Sequence, residues 1–135
     1  MGIDILWENE SGDQLEEILD SRNYFGLALT LSSQEETVCL RFIDHYGNTV
    51  FNQRQIPIFI SELQDLLQLV TPDSVANLQE KLTKKLQRHT VPLELIENRV
   101  KRLSAVEVSA HISKILDLAN RSKGEIHTYL KLRGD

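Results

Sequence analysis

At Ile56 the spacing of apolar residues changes from two to about 3.6, and a chain that reads as strands before that point reads as helices after it. Upstream, Ile3, Ile5 and Trp7 alternate with Asp4, Leu6 and Glu8, the pattern of a strand with one apolar face. Phe25, Leu27, Leu29 and Leu31 alternate over Tyr24 to Leu31, and after a polar turn from Ser33 to Glu36, Val38, Leu40 and Phe42 do so over Thr37 to Asp44. His45 to Asn48 reads as a loop in which Gly47 supplies a positive φ, and Thr49 to Gln53 returns as a shorter strand, so a three-stranded meander is expected in the middle of the chain. Between the first two strands, Ser11 to Asp20 reads as a short helix, with Leu15, Ile18 and Leu19 at helical spacing and Gln14 as a capping-box partner.

Downstream, Phe59, Leu63, Leu66, Leu67 and Val70 form one stripe behind Pro57, which suits a first helical turn. Thr71 as N-cap and Pro72 as first helical residue open a second helix carrying Val75, Leu78, Leu82 and Leu86. Pro92 opens a third, with Leu93, Ile96, Val100 and Leu103 in heptad spacing. Ser104 and Glu107 form a capping-box pattern at the head of a fourth, whose stripe of Val108, Ile112, Ile115 and Ala119 runs to Gly124. The last strand is expected over Ile126 to Leu132.

Strands followed by helices, with a strand returning at the end, define the α+β class rather than a βαβ repeat. The expectation is one domain over residues 1–135: a mainly antiparallel sheet of about four or five strands (N-terminal strands, central meander, C-terminal strand) with three or four helices on one face. The lone Cys39 excludes an internal disulfide framework, falls in an apolar pattern that predicts a buried and inert thiol, and points to a reducing, cytoplasmic compartment. No apolar run reaches the roughly 18 to 20 residues that span a bilayer, the N-terminus turns acidic too early for a signal peptide, and Leu6 stands where a myristoylation motif needs a hydroxyl.

The net charge of −5 is unevenly placed: residues 1–36 hold nine acids against Arg22, for −8, and the remainder sums to +3. Such polarity either pairs internally or presents an acidic surface to a basic partner. Glu16, Glu17 and Asp20 are the acids at the centre of that stretch, and the turn residues Asp44, His45, Tyr46 and Asn48 gather the most site-capable side chains in one short segment. Asp and Asn also serve turns by bonding their own backbone, so the cluster reads first as turn chemistry, next as contact surface and last as a catalytic site. No metal-ligand spacing, phosphate-binding glycine loop or nucleophile motif occurs, and neither a cofactor nor catalysis is expected. Adjacent Glu16-Glu17 and Glu35-Glu36 point apart and do not form the opposed carboxylates of a hydrolase.

Two basic sets offer an alternative. His127, Tyr129, Lys131 and Arg133 on the last strand, beside Arg41, Tyr24 and Asp4, would make an aromatic and basic sheet face able to stack bases. Lys81, Lys84, Lys85, Arg88, Arg99, Lys101 and Arg102 would make a positive helical ridge. A negative total charge and the absence of the glycine-aromatic run of RNA-recognition sheets weigh against both. His89 reads as a helix-end residue and His111 as a boundary residue; the leucine stripes make core packing the first account and homodimerisation the second. In size, acidity and lack of catalytic motifs the chain resembles, in profile, toxin-neutralising immunity proteins and small adaptors. That resemblance implies a non-catalytic module that binds another, basic protein through its acidic N-terminal third and the 44–48 turn.

Overall fold

The two ends of the chain lie side by side. In the computed structural model, which describes residues 2–33, 35–88 and 103–135, strand β1 (Ile3–Asn9) runs antiparallel to the last strand, β4 (Thr128–Gly134), from Ile3 opposite Gly134 to Asn9 opposite Thr128. β2 (Gln14–Ile18) flanks β1 and β3 (Asn48–Phe51) flanks β4, so the antiparallel sheet has the order β2-β1-β4-β3. Four helices complete the described fold: α1 (Tyr24–Ala28), α2 (Ile56–Leu69), α3 (Pro72–Arg88) and α4 (Ala105–Ser122). The chain is therefore a small α+β protein, as the change of period predicts.

Burial follows the alternation in the central strands except at Leu6, which is buried on the opposite face. Ile3, Ile5, Leu130, Leu132 and Phe51 are buried in one core with Phe59, Leu63 and Leu66 of α2 and Ile112, Ile115 and Leu118 of α4. Phe51 and Phe59 stack at 4.9 Å between ring centres. A fully buried side chain of this size contributes about 2 kcal/mol, which makes the sheet-helix layer the main source of cohesion. Thr71 caps α3 as expected, in a reciprocal pair: Ser74 N–H donates to Thr71 Oγ1 at 3.1 Å and Thr71 N–H to Ser74 Oγ at 2.9 Å. Gln53 acts as a latch between two turns, its amide nitrogen donating to the Ser122 and Thr128 carbonyls and its oxygen accepting from Gly124 N–H.

Three local expectations fail, each for a physical reason. Residues 11–20 are hairpin and strand, not helix: Asn9 Oδ1 accepts from Ser11 and Asp13 N–H at 3.0 and 2.9 Å, and Gly12 takes φ +84°, so turn chemistry overrides a helical spacing whose Leu15 and Leu19 are in fact exposed. Residues 24–31 are α1 followed by a 3₁₀ turn (Leu29–Leu31), not a strand. Burial there falls on Tyr24, Phe25, Ala28 and Leu29, a helical spacing hidden beneath the alternating leucines, and the Asp20 carboxylate accepts from Phe25 and Gly26 N–H at the helix start.

Residues 37–44 are a loop with a 3₁₀ turn (Leu40–Phe42), so the central meander does not form and β3 is its only strand. The cause is Glu62. It is buried on the apolar side of α2, and its carboxylate accepts from Val38 N–H at 2.8 Å, Cys39 N–H at 3.0 Å and Leu40 N–H at 2.9 Å, taking donors that a sheet ladder would need.

Smaller corrections follow the same logic. Gly47 does not adopt a positive φ; a Cβ there would meet Asp44 Oδ2 at 2.6 Å. Ser104 caps α4 without a side-chain bond, and the Glu107 carboxylate is engaged by Tyr24 and Arg22. The last strand begins at Thr128, leaving Ile126 exposed in the preceding turn. The helix expected from Pro92, with His89 and the bases Arg99, Lys101 and Arg102, lies outside the described residues, apart from the buried Leu103.

Removing the Glu62 carboxylate strands three backbone donors in a buried site. Glu62→Ala is expected to lower unfolding stability by about 3 kcal/mol, measured by urea titration; a loss below about 0.5 kcal/mol contradicts the anchoring role.

Candidate functional site

β2 is an edge of the sheet, and it is unusually dressed for one. Leu15 and Leu19 are 50% and 55% exposed, Glu17 is exposed, and the pairing with β1 slips by one residue between Trp7 and Glu8, which leaves Leu15 bulged. Ile18, opposite Ile5, packs on the core side, and Glu17, opposite Leu6, lies on the other face. Beyond the edge an open groove of about 470 Å³ separates β2 from α4. Glu16 and Ile18 form one wall, and Ala110, Ser113, Lys114, Asp117 and Arg121 the other. Arg121 bridges the two, bonding Glu16 through both carboxylate oxygens at 2.6 and 3.1 Å and Asp117 at 3.0 Å.

Part of the acidic N-terminal third is paired within the molecule, mostly through β1–β4 adjacency and, for Glu16, through α4. Asp4 meets Arg133 at 3.0 Å, Glu8 accepts from the Tyr129 hydroxyl at 2.9 Å, Glu10 meets His127 at 2.9 Å and Glu16 meets Arg121. Asp20 is buried, so it belongs to the interior and not to an acidic surface. Glu17, by contrast, enters none of the ion pairs among the described residues.

The same pairing bears on the polar sheet face. Tyr129, Lys131 and Arg133 do stand on a central strand beside Asp4, but carboxylates already hold Tyr129 and Arg133. Arg41 and Tyr24 are not on the sheet: Arg41 stacks over the Phe42 ring at 4.7 Å on the 3₁₀ turn, and Tyr24 opens α1. Lys85 lies exposed on α3 with Lys81 and Arg88, while Lys84 pairs with Glu80.

The loop before β3 is held firmly and yet exposes aromatic surface. Tyr46 N–H donates to Asp44 Oδ1 at 2.8 Å, Asp44 N–H donates to Thr49 Oγ1 at 2.9 Å, and Gly134 N–H donates to the Gly47 carbonyl at 2.8 Å. On this frame Tyr46 is 85% and Phe42 64% exposed, with His45 and Asn48 also at the surface. Asp44 is therefore occupied by turn chemistry, as expected of it, and this loop borders β3, at the opposite edge of the sheet from β2. The structure does not bring the acidic stretch and the turn together.

The densest titratable cluster is one that sequence reasoning treated as separate residues. Asp20 accepts from Ile3, Phe25 and Gly26 N–H at 3.1, 3.3 and 3.2 Å, and His111 Nε2 of α4 stands 3.4 Å from its Oδ1. Tyr24 packs edge-on to His111 and donates to Glu107, with Arg22 bonding the same hydroxyl. Burial pushes the Asp20 carboxyl above its ordinary range against its backbone bonds and the His111 charge, and burial lowers His111 despite Asp20. This junction ties β1, α1 and α4 together. Glu62, also missed, had a visible signal: it falls among Phe59, Leu63 and Leu66 on an apolar stripe, where a carboxylate needs partners.

Cys39 is buried, and burial together with the Glu62 charge pushes its thiol up to about 11, away from nucleophilic use near neutrality. Among the described residues no three His, Cys, Asp or Glu side chains are grouped to hold a metal, and no described helix is long and apolar enough to cross a membrane. Compared with models of known protein families, with characterised proteins and with solved structures, the chain matches none.

The His111 shift has a testable sign. Unfolded His111 takes its proton at the ordinary 6.5 while the folded residue resists, so the unfolded state binds more protons just below pH 6.5 and stability falls there on acidification. Asp20 works in the opposite sense, because the folded carboxyl holds its proton more tightly than the unfolded one at 3.8, and it does so alike in wild type and a His111 variant. The wild-type melting temperature is expected to fall between pH 7 and 5.5 more steeply than that of His111→Gln; parallel profiles contradict the assignment.

Proposed function

We propose that this chain is a small non-catalytic module that binds another protein, with its acidic edge strand β2 as the principal contact and a basic partner surface as its complement. The observation that carries the reading is the edge itself: Leu15 and Leu19 half exposed to either side of Glu17, which makes no close ion pair among the described residues and shares the field of Arg133 with Asp4, whereas Glu16 and Asp4 are directly paired. Leu15 and Leu19 give this edge exposed apolar surface on either side of an acid, and the acids set the sign of the partner and quicken the encounter. A profile like that of immunity or adaptor proteins fits this chemistry, as does a cytoplasmic setting for a chain with one deeply buried thiol.

A second contact is favoured by one observation, the pinned loop that presents Tyr46 and the Arg41–Phe42 stack. Tyrosine and arginine dominate binding hot spots, and a loop fixed by its own hydrogen bonds loses little freedom on binding. Nucleic acid remains the alternative for Lys85 and its neighbours on α3, but the sheet face offers it little, since Tyr129 and Arg133 are held by Glu8 and Asp4.

Affinity capture from the source cell with the intact chain, repeated with Glu17→Lys plus Leu15→Ser and separately with Tyr46→Ala, tests the reading. Loss of a captured protein of at least tenfold with the β2 variant, at unchanged melting temperature, is the expected outcome. Capture indifferent to the β2 variant, or recovery of nucleic acid that Lys85→Glu abolishes, contradicts it.

A further inference from the structure

An edge strand offers a row of backbone donors and acceptors at fixed spacing, and a second wall beside it turns that row into a slot for one extended segment. β2 has both: it ends the sheet, and the groove of about 470 Å³ runs between it and α4. We infer that β2 takes up an extended segment of the partner as a fifth strand, and that this segment alternates apolar side chains toward the groove with lysine or arginine on the open side of the sheet. The inference rests on the protein-binding reading above and specifies its chemistry.

The alternation follows from what each side of β2 presents, because successive side chains of an added strand point to opposite faces. On the groove side, Ile18 and Ala110 are apolar, and the nearby charges answer one another, Glu16 and Asp117 both bonding Arg121. The groove side therefore calls for a small or branched apolar side chain, seated against Ile18 and Ala110 beside the Arg121–Glu16 pair. On the open side Glu17 stands exposed and outside the ion pairs of the described residues, with Arg133 of β4 near enough to feel its charge, and Leu19, just past the end of β2, is exposed two residues on. A basic residue opposite Glu17 makes a favourable cross-strand pair, and its methylene stem covers Leu19. Pairing with β1 is regular from Glu16 to Ile18, and the bulged Leu15 marks one end of the slot.

A second copy of this chain is the poorer occupant. Antiparallel pairing of two β2 strands centred at Glu16 or Glu17 sets carboxylates of the two copies opposite or diagonal to one another, and like charges across strands destabilise the pair. The other edge, β3, is only four residues long.

Peptides test the inference on the unmodified full chain. The probe is a blocked hexapeptide of alternating lysine and valine, with two derivatives N-methylated at either all the lysines or all the valines. Strand addition uses the backbone N–H of only one parity, so one derivative is expected to lose at least tenfold in affinity and the other to bind within about twofold of the parent. A glutamate–valine twin is expected not to bind.

Equal binding by the two methylated peptides overturns strand addition; if Glu17→Lys still abolishes capture of the cellular partner, the protein-binding reading survives alone. Failure of the parent peptide to bind at low salt, equal binding of the acidic twin, or dimerisation of the chain through β2 in its place each overturns the inference.

Discussion

The pairing of β1 with β4 is the interaction on which the rest of the molecule depends. It joins residues more than a hundred positions apart, places Ile5 and Leu132 at the centre of the core, and gives β2 and β3 the only frames on which they pair. Until the last strand arrives, β1 and β2 are an isolated hairpin, which is marginal in water, and β3 has no neighbour at all. The same adjacency sets the electrostatics, because it lays the acidic start of the chain against the basic end. Asp4, Glu8 and Glu10 find Arg133, Tyr129 and His127 directly across or beside the shared ladder. A charge asymmetry that looks from composition like a bare acidic surface is therefore in part an internal seam, while Asp13, Glu17, Glu35 and Glu36 stay exposed outside the ion pairs of the described residues, Glu17 among them on the open edge.

Two buried carboxylates do the next most important work. Asp20 and Glu62 each accept three or more backbone N–H groups, and each fixes a segment that carries no regular sheet pairing. Hydrogen bonds to a charged acceptor are roughly twice as strong as neutral ones, so a single side chain can hold a turn that local propensity alone would not. Asp20 joins the start of β1, the start of α1 and His111 of α4. Glu62 joins α2 to the loop that leads, through Asp44 and Thr49, into β3. The interaction surfaces proposed at β2 and at Tyr46 thus sit on opposite margins of a rigid centre.

What was legible in the sequence and what was not divides along these lines. The long helices and the terminal strands carry their own signals: the stripe of Phe59, Leu63 and Leu66, the Thr71-Pro72 start, and the alternation of Ile3, Ile5 and Trp7 with its counterpart in Leu130 and Leu132. The segments at 24–31 and 37–44 alternate just as cleanly, yet become helix and loop, because buried carboxylates outside them claim their backbone donors, Asp20 just ahead of the first and Glu62 remote from the second. Short apolar runs are ambiguous between the two periods, and here hydrogen bonds from side chains outside the run resolve them. The candidate site was half visible for the same reason. Glu16, Glu17 and the exposure of Tyr46 could be anticipated; the burial of Asp20, its meeting with His111 and the groove beside β2 depend on tertiary contacts no local pattern records.

Native-state amide hydrogen exchange tests the central role of the β1–β4 pairing most directly. If the two ends hold the fold together, the ladder amides near Ile5 and Leu132 exchange only by global unfolding, with the same denaturant dependence as the protected amides of α2 and α4 around Leu63 and Ile115. Exchange of the β1 and β4 amides through a separate, lower-energy opening, while α2 and α4 stay protected, would show that the helices form a stable core without the sheet and would contradict the account.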